Sequence, residues 1–126
     1  MLGDRWSLLI IRDLMFAGRR TYKEFLESGE GIATNILADR LETLEANRIV
    51  TTHPDPGDGR KVIYRLTKKG IDLAPVLVDL IVWASKYEDT AAPAAIIRRA
   101  EHDRQNLLLD IEKKWLDNAL PADRRD

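Results

Sequence analysis

Residues 21–46 read TYKEFLESGEGIATNILADRLETLEA, and two short helices joined by a glycine turn are encoded in them. Thr21-Tyr22-Lys23-Glu24 has the spacing of a capping box, in which the Thr21 oxygen accepts from the Glu24 backbone N–H while the Glu24 carboxylate reaches back. A helix of about two turns follows, with Tyr22, Phe25 and Leu26 turned inward. Ser28-Gly29 stops it, and Glu30-Gly31 completes a tight turn. The next helix is predicted from about Ala33 to Ala46, because Leu37, Leu41 and Leu44 recur at i, i+4 and i+7 and make one narrow core stripe. Its opposite face presents Asn35, Ala38, Asp39 and Glu42, with Thr34 at the exposed start. A helix pair of this kind, the second member polar on its outer face, is a helix-turn-helix pattern.

Toward the C-terminus, Ile49-Val50-Thr51-Thr52-His53 and Lys61-Val62-Ile63-Tyr64-Arg65-Leu66 read as two strands rich in β-branched and aromatic residues. The intervening Pro54-Asp55-Pro56-Gly57-Asp58-Gly59-Arg60 reads as a projecting loop, too long for a two-residue hairpin turn. Toward the N-terminus, Asp4 to Ala17 reads as a helix stopped by Gly18, apolar around nearly its whole circumference and therefore in need of a second covering layer. The expected fold is mainly α with a small β-hairpin: a winged helix-turn-helix. Thr67 is expected to cap a long helix to about Tyr87, with Pro75 kinking or restarting it. Ala91-Ala92-Pro93 is a joint, and a last helix is predicted from about Ala94 to Asn118. These later helices carry more apolar residues than one stripe needs, so the expected domains are residues 1–88, a winged helix-turn-helix, and residues 89–126, a helical extension for dimerisation.

The chain has 126 residues, 44% hydrophobic and 33% charged, as suits a helical globular protein. Its apolar runs, such as Leu8 to Ile11, are far short of a membrane span, which takes about 20 residues. No secretory leader is visible, and there is no cysteine, so disulfides, thiolate metal sites and thiol-based sensing are excluded within these residues. A cytoplasmic protein is expected. The net charge of −1 does not by itself point to nucleic acid, and residues 1–66 hold ten Lys/Arg against ten Asp/Glu. Affinity for DNA would have to come from local basic pairs, doubled by dimerisation.

Gly3-Asp4-Arg5-Trp6 leading into Leu9-Ile10-Ile11-Arg12-Asp13-Leu14, then Arg20, Tyr22 and Phe25, then Gly31 to Leu41, then Tyr64-Arg65-Leu66-Thr67 with Gly70, Pro75-Val76-Leu77 and Trp83, occur in order. On these residues, over about positions 2 to 88, the chain resembles the HxlR-type winged-helix transcriptional regulators, relatives of the MarR group. The resemblance implies a homodimer that binds double-stranded DNA, most often as a repressor. It also implies a small-molecule effector of unspecified chemistry, taken in the apolar space between the dimer helices and the winged domain. Family members carry a further helix ahead of the Gly-Asp-Arg-Trp segment, and they commonly have glycine where Arg48 stands. Arg48 resists a left-handed backbone, so Asn47 is expected to supply that conformation.

In a helix-turn-helix the second helix enters the major groove and its first residues face base edges. That assigns Thr34, Asn35, Ala38 and Asp39 to the groove. Asn suits a bidentate contact to adenine, Ala a thymine methyl, and Asp the amino group of cytosine. Arg60 and Lys61 at the wing tip are assigned to the adjacent minor groove or its phosphates, and Arg20 with Thr21 to a phosphate. Lys68-Lys69 read as solvated. No enzyme is expected: there is no phosphate loop, dinucleotide fingerprint or nucleophile elbow. His53 and His102 have no metal-binding spacing, and no cofactor or metal is implied. The alternative reading is a winged-helix module that binds protein, which the acidic residues Asp39, Glu42 and Glu45 favour.

Overall fold

Asp4 opens the first helix, α1 (Arg5–Arg12), by accepting from the Ser7 backbone N–H at 3.4 Å, a role that suits a short acidic side chain at a helix start. The structure is a computed structural model in which residues 4–28, 31–87 and 93–118 are described. Gly29-Glu30 of the predicted turn and Ala91-Ala92 of the predicted joint lie outside the described residues. Two compact units are present, Met1–Gly70 and Ile71–Asp126.

In the first unit, α1 runs directly into a π-helical turn, Asp13–Ala17, that ends at Gly18 with φ +69°, the left-handed conformation that glycine adopts without steric cost. The regular helix predicted to Ala17 is therefore wider over its last turn. Buried there is the Asp13 carboxylate, whose Oδ1 accepts from Arg12 at 3.0 Å and from Arg19 at 3.2 Å. The expected capping box is present. Thr21 accepts from the Glu24 N–H at 3.2 Å, Glu24 accepts from the Thr21 N–H at 3.1 Å, and α2 (Tyr22–Leu26) follows.

Helix α3 (Thr34–Ala46) buries its leucine stripe: Leu37 is 0% exposed, Leu41 2% and Leu44 0%. They sit with Ile10, Ile11, Phe25, Ile49, Val50, Ile63 and Leu66 in the core of this unit. Each leucine so buried contributes about 1.5–3 kcal/mol. The end of α3 departs from expectation. Asn47 keeps φ −89°, and Arg48 itself takes φ +60°. The hydrogen bonds explain why. Arg48 N–H donates to the Glu45 carbonyl at 3.0 Å and Ile49 N–H to the Leu44 carbonyl at 2.9 Å, the two bonds of a Schellman motif, which puts the left-handed residue at position 48.

Strands β1 (Val50–Asp55) and β2 (Asp58–Leu66) form an antiparallel hairpin in which Val50 faces Leu66 and Pro54 faces Val62. Asp55 then pairs with Asp58, so the connection is a two-residue turn, Pro56-Gly57, and the expected long loop is absent. The Asp55 carboxylate closes it by accepting from the Gly57 N–H at 2.8 Å. Between the partners of Pro54 and Asp55 the register slips, and Gly59, Arg60 and Lys61 are taken up as a bulge on β2.

The helix predicted from Thr67 to Tyr87 is two helices, α4 (Lys68–Ile71) and α5 (Ala74–Tyr87). Pro75 falls in the first turn of α5, where its missing N–H costs nothing, so it marks a restart. In the second unit α5 packs with α6 (Ala94–His102) and α7 (Arg104–Asp117), burying Leu77, Val78, Ala100, Leu107 and Ile111. The predicted last helix is thus broken. Asp103 stands at φ −143°, and its carboxylate accepts from the Asn106 side chain at 2.8 Å, an alternative to helical pairing that Asp is prone to. No helix among the described residues is long and apolar enough to cross a membrane.

Candidate nucleic-acid interface

Because Leu37, Leu41 and Leu44 are turned into the core, the 3.6-residue period sends Thr34, Asn35, Ala38, Asp39 and Glu42 to the outside, and all five are exposed. The predicted recognition residues therefore share one solvent face of α3. Two contacts fix that face. Tyr22, at the start of α2, donates its hydroxyl to the Thr34 carbonyl at 2.8 Å and so ties the two helices at the turn between them. Ala33 caps α3 without a side-chain hydrogen bond of its own.

The second contact involves Arg40. Its Nε donates to Asp4 at the start of α1, and another nitrogen of the same guanidinium donates to Asp39. The Arg40 hydrogen bond is the chief reason the Asp4 carboxyl lies below its ordinary range, and the same pair raises the Arg40 guanidinium. Sequence reading assigned Arg40 no part in the face. Its partner at position 4 is remote in sequence, so no local spacing could have pointed to it.

Arg60 and Lys61, expected at the tip of the wing, lie instead on the β2 bulge behind the Pro56-Gly57 turn, exposed, with the Arg60 side chain 93% accessible. Asp58 holds Arg60 loosely, accepting from its backbone N–H at 3.1 Å and its Nε at 3.3 Å, and these bonds lower the Asp58 carboxyl. At the start of α2 the predicted pair separates. Arg20 is exposed, and its carbonyl accepts from the Tyr64 N–H at 2.7 Å, which joins this corner to β2. The Thr21 hydroxyl is engaged with Glu24 as both acceptor and donor. Arg19 turns inward to Asp13.

Beside the face lies an open groove of about 440 Å³ lined by Tyr22, Ala38, Leu41, Glu42, Glu45, Ala46 and Tyr64. Burial raises the Tyr64 hydroxyl, reinforced by the charge of Glu45 and by Tyr22. The groove carries Glu42 and Glu45, whereas Arg20, Arg60 and Lys61 are exposed cations outside its lining. No group of three or more His, Asp or Glu among the described residues is gathered to hold a metal.

Comparison with known proteins bears on this surface. Residues 1–92 match the family model described as HxlR-like helix-turn-helix. The chain is 41% identical over 87 residues to the HTH-type transcriptional regulator YodB of Bacillus subtilis, covering 69% of this chain and 77% of that protein. It is 35% identical over 78 residues to the uncharacterized HTH-type transcriptional regulator sll1512 of Synechocystis sp., covering 62% of this chain and 57% of that one. Its fold is similar to that of the reduced form of YodB, with a TM-score of 0.58, 40% identity and coverage of 68% of this chain and 83% of that chain.

Proposed function

From the premise that the chain belongs to the HxlR-like helix-turn-helix family of DNA-binding transcriptional regulators, we propose that it is a homodimeric repressor reading a pseudo-palindromic operator. The exposure of Thr34, Asn35, Ala38 and Asp39 together on one face of α3 carries this reading. Those residues meet base edges in the major groove, with Asn35 on adenine, Ala38 on a thymine methyl and Asp39 on the cytosine amino group. Arg60 and Lys61 meet the flanking backbone or minor groove, and Arg20 a phosphate. Thr21 acts there through its backbone and its cap.

The DNA-facing residues of this reading all lie in the first unit, Met1–Gly70, and the second, Ile71–Asp126, carries the helices for dimerisation. Dimerisation is supported by Val76, Leu80, Trp83 and Tyr87, which follow one another at spacings of 4, 3 and 4 along α5 and are 43–73% exposed. Such a stripe is the seam of a helix pair, and a second copy offers the same stripe in an isologous contact. Two recognition helices then sit about 34 Å apart, one turn of DNA. The protein works in the cytoplasm and catalyses no reaction. An effector fits this reading, since YodB has been solved quinone-bound. With no cysteine in these residues, an effector binds this chain without a thiol adduct.

The test is fluorescence anisotropy on DNA from upstream of the protein's own gene, with scrambled competitor and a salt series. Binding that resists competitor and weakens steeply between about 50 and 200 mM salt is expected. Binding that scrambled DNA removes equally would sink the operator. Absence of binding at low salt would turn the acidic groove at Glu42 and Glu45 toward a protein partner instead.

A further inference from the structure

We propose that Arg40 is a positioning residue that sets base preference by fixing how Asp39 meets a base edge, an inference that rests on the DNA-binding reading above. Neighbouring residues of a helix point about 100° apart, and their side chains do not ordinarily meet. Here Arg40 folds back and donates to Asp39 Oδ2, while its Nε donates to Asp4 Oδ2. Asp4 is itself held. It caps α1, and its carboxylate accepts from the Ser7 N–H at 3.4 Å and the Ser7 hydroxyl at 3.1 Å. Ser7 is 1% exposed. A chain of hydrogen bonds, Ser7 to Asp4 to Arg40 to Asp39, thus starts inside the first unit and ends on the outer face of α3, where the Asp39 side chain is 63% exposed.

Two consequences follow for recognition. With Oδ2 engaged, Asp39 offers Oδ1 in a set direction, and a cytosine amino group is the donor such an oxygen selects. The guanidinium also offsets charge that would otherwise oppose the DNA phosphates. Only a planar fork of donors holds two carboxylates at a fixed angle, and a lysine ammonium does not. As a clamp between helices the arrangement is weak, because Arg40 and Asp4 side chains are 31% and 29% exposed and ion pairs that wet add little stability.

The experiment selects preferred duplexes from a randomised library with the full chain. It then measures Asp39→Ala, Arg40→Lys and Asp4→Asn on duplexes carrying each base pair at each half-site position, with thermal melting alongside. Asn keeps the helix cap at position 4 while removing the charge that anchors Arg40. Asp39→Ala is expected to lose roughly tenfold preference at one position. Arg40→Lys and Asp4→Asn are expected to lose at least about threefold at that same position, with melting and the other preferences nearly unchanged. Adding Arg40→Lys to Asp39→Ala should cost no further preference there. Wild-type preference in Arg40→Lys and Asp4→Asn, or an even loss of affinity on every duplex, overturns the proposal. So does an Asp39→Ala variant whose preferences change nowhere, in which case tight salt-sensitive binding by the wild type leaves the DNA-binding reading standing.

Discussion

At Arg48 the backbone takes φ +60°, a conformation that costs an L side chain roughly 1–2 kcal/mol. The Schellman bonds to Glu45 and Leu44, with Ile49 and Leu44 both buried, hold it there. Glycine removes that cost but adds freedom to the unfolded chain, so Arg48→Gly is expected to gain about 0.5–1 kcal/mol and raise the melting temperature by a few degrees. A lower melting temperature would mean the Arg48 side chain makes a compensating contact. On the proposed DNA-facing side, Asn35 and Arg60 should fail differently. Asn35→Ala is expected to lose about 1–3 kcal/mol on one base pair only, whereas Arg60→Ala weakens every duplex and lowers the salt slope by about 1. Competition binding across single-base-pair variants separates the two, and wild-type behaviour in both would remove these residues from the interface.

Among the elements, α2 shows how a local signal and the core divide the work. The capping box is worth about 1 kcal/mol, whereas truncating Leu41 under α3 costs about 2–5 kcal/mol, so the cap sets where the helix starts and the leucines keep it in place. Burial raises the Glu24 carboxyl, but hydrogen bonds from the Arg20 N–H, the Thr21 hydroxyl and the Thr21 N–H outweigh it, and the group titrates below its ordinary 4.5. Its contribution to stability is therefore complete above pH 4.5 and is lost as pH falls through the lower folded value. Urea melts between about pH 6 and pH 3 should show Glu24→Gln with a flatter pH dependence than wild type. An identical slope would mean that other carboxylates carry the acid sensitivity. The hairpin and α4 meet at Gly70, where a Cβ would lie 2.4 Å from the Ile49 carbonyl oxygen and 2.9 Å from Leu66. Thr67 stitches the same corner by donating to the Arg48 carbonyl at 2.6 Å. Gly70→Ala is expected to cost about 1–3 kcal/mol, measurable as a lowered denaturation midpoint.

For the molecule as a whole, the proposed dimer seam on α5 is the feature whose loss should matter most. Trp83 is 55% exposed and Tyr87 73%, with their rings 5.6 Å apart, a large apolar surface for a chain acting alone. Trp83→Glu is expected to weaken dimerisation at least about tenfold and to make DNA binding less steep with protein concentration. Sedimentation of the two proteins at micromolar concentration checks this, and an unchanged dimer would move the interface elsewhere.

Much of the architecture was legible because its signals are short in sequence. The leucine stripe of α3, the Thr21 cap, the Gly18 stop and the β-branched strands each depend on residues a few positions apart, and the exposed face of α3 follows from the stripe by periodicity alone. The tertiary structure decided what depends on chain segments meeting. Arg48 is left-handed because the Leu44 and Glu45 carbonyls are satisfied that way and Ile49 enters the core. The wing is a two-residue turn with a bulge because strand pairing, which turn-forming residues do not reveal, runs out to Asp55 and Asp58. Arg40 is tied to the start of α1 because folding brings Asp4, 36 residues away, within reach of its guanidinium, and no local periodicity encodes a contact at that separation.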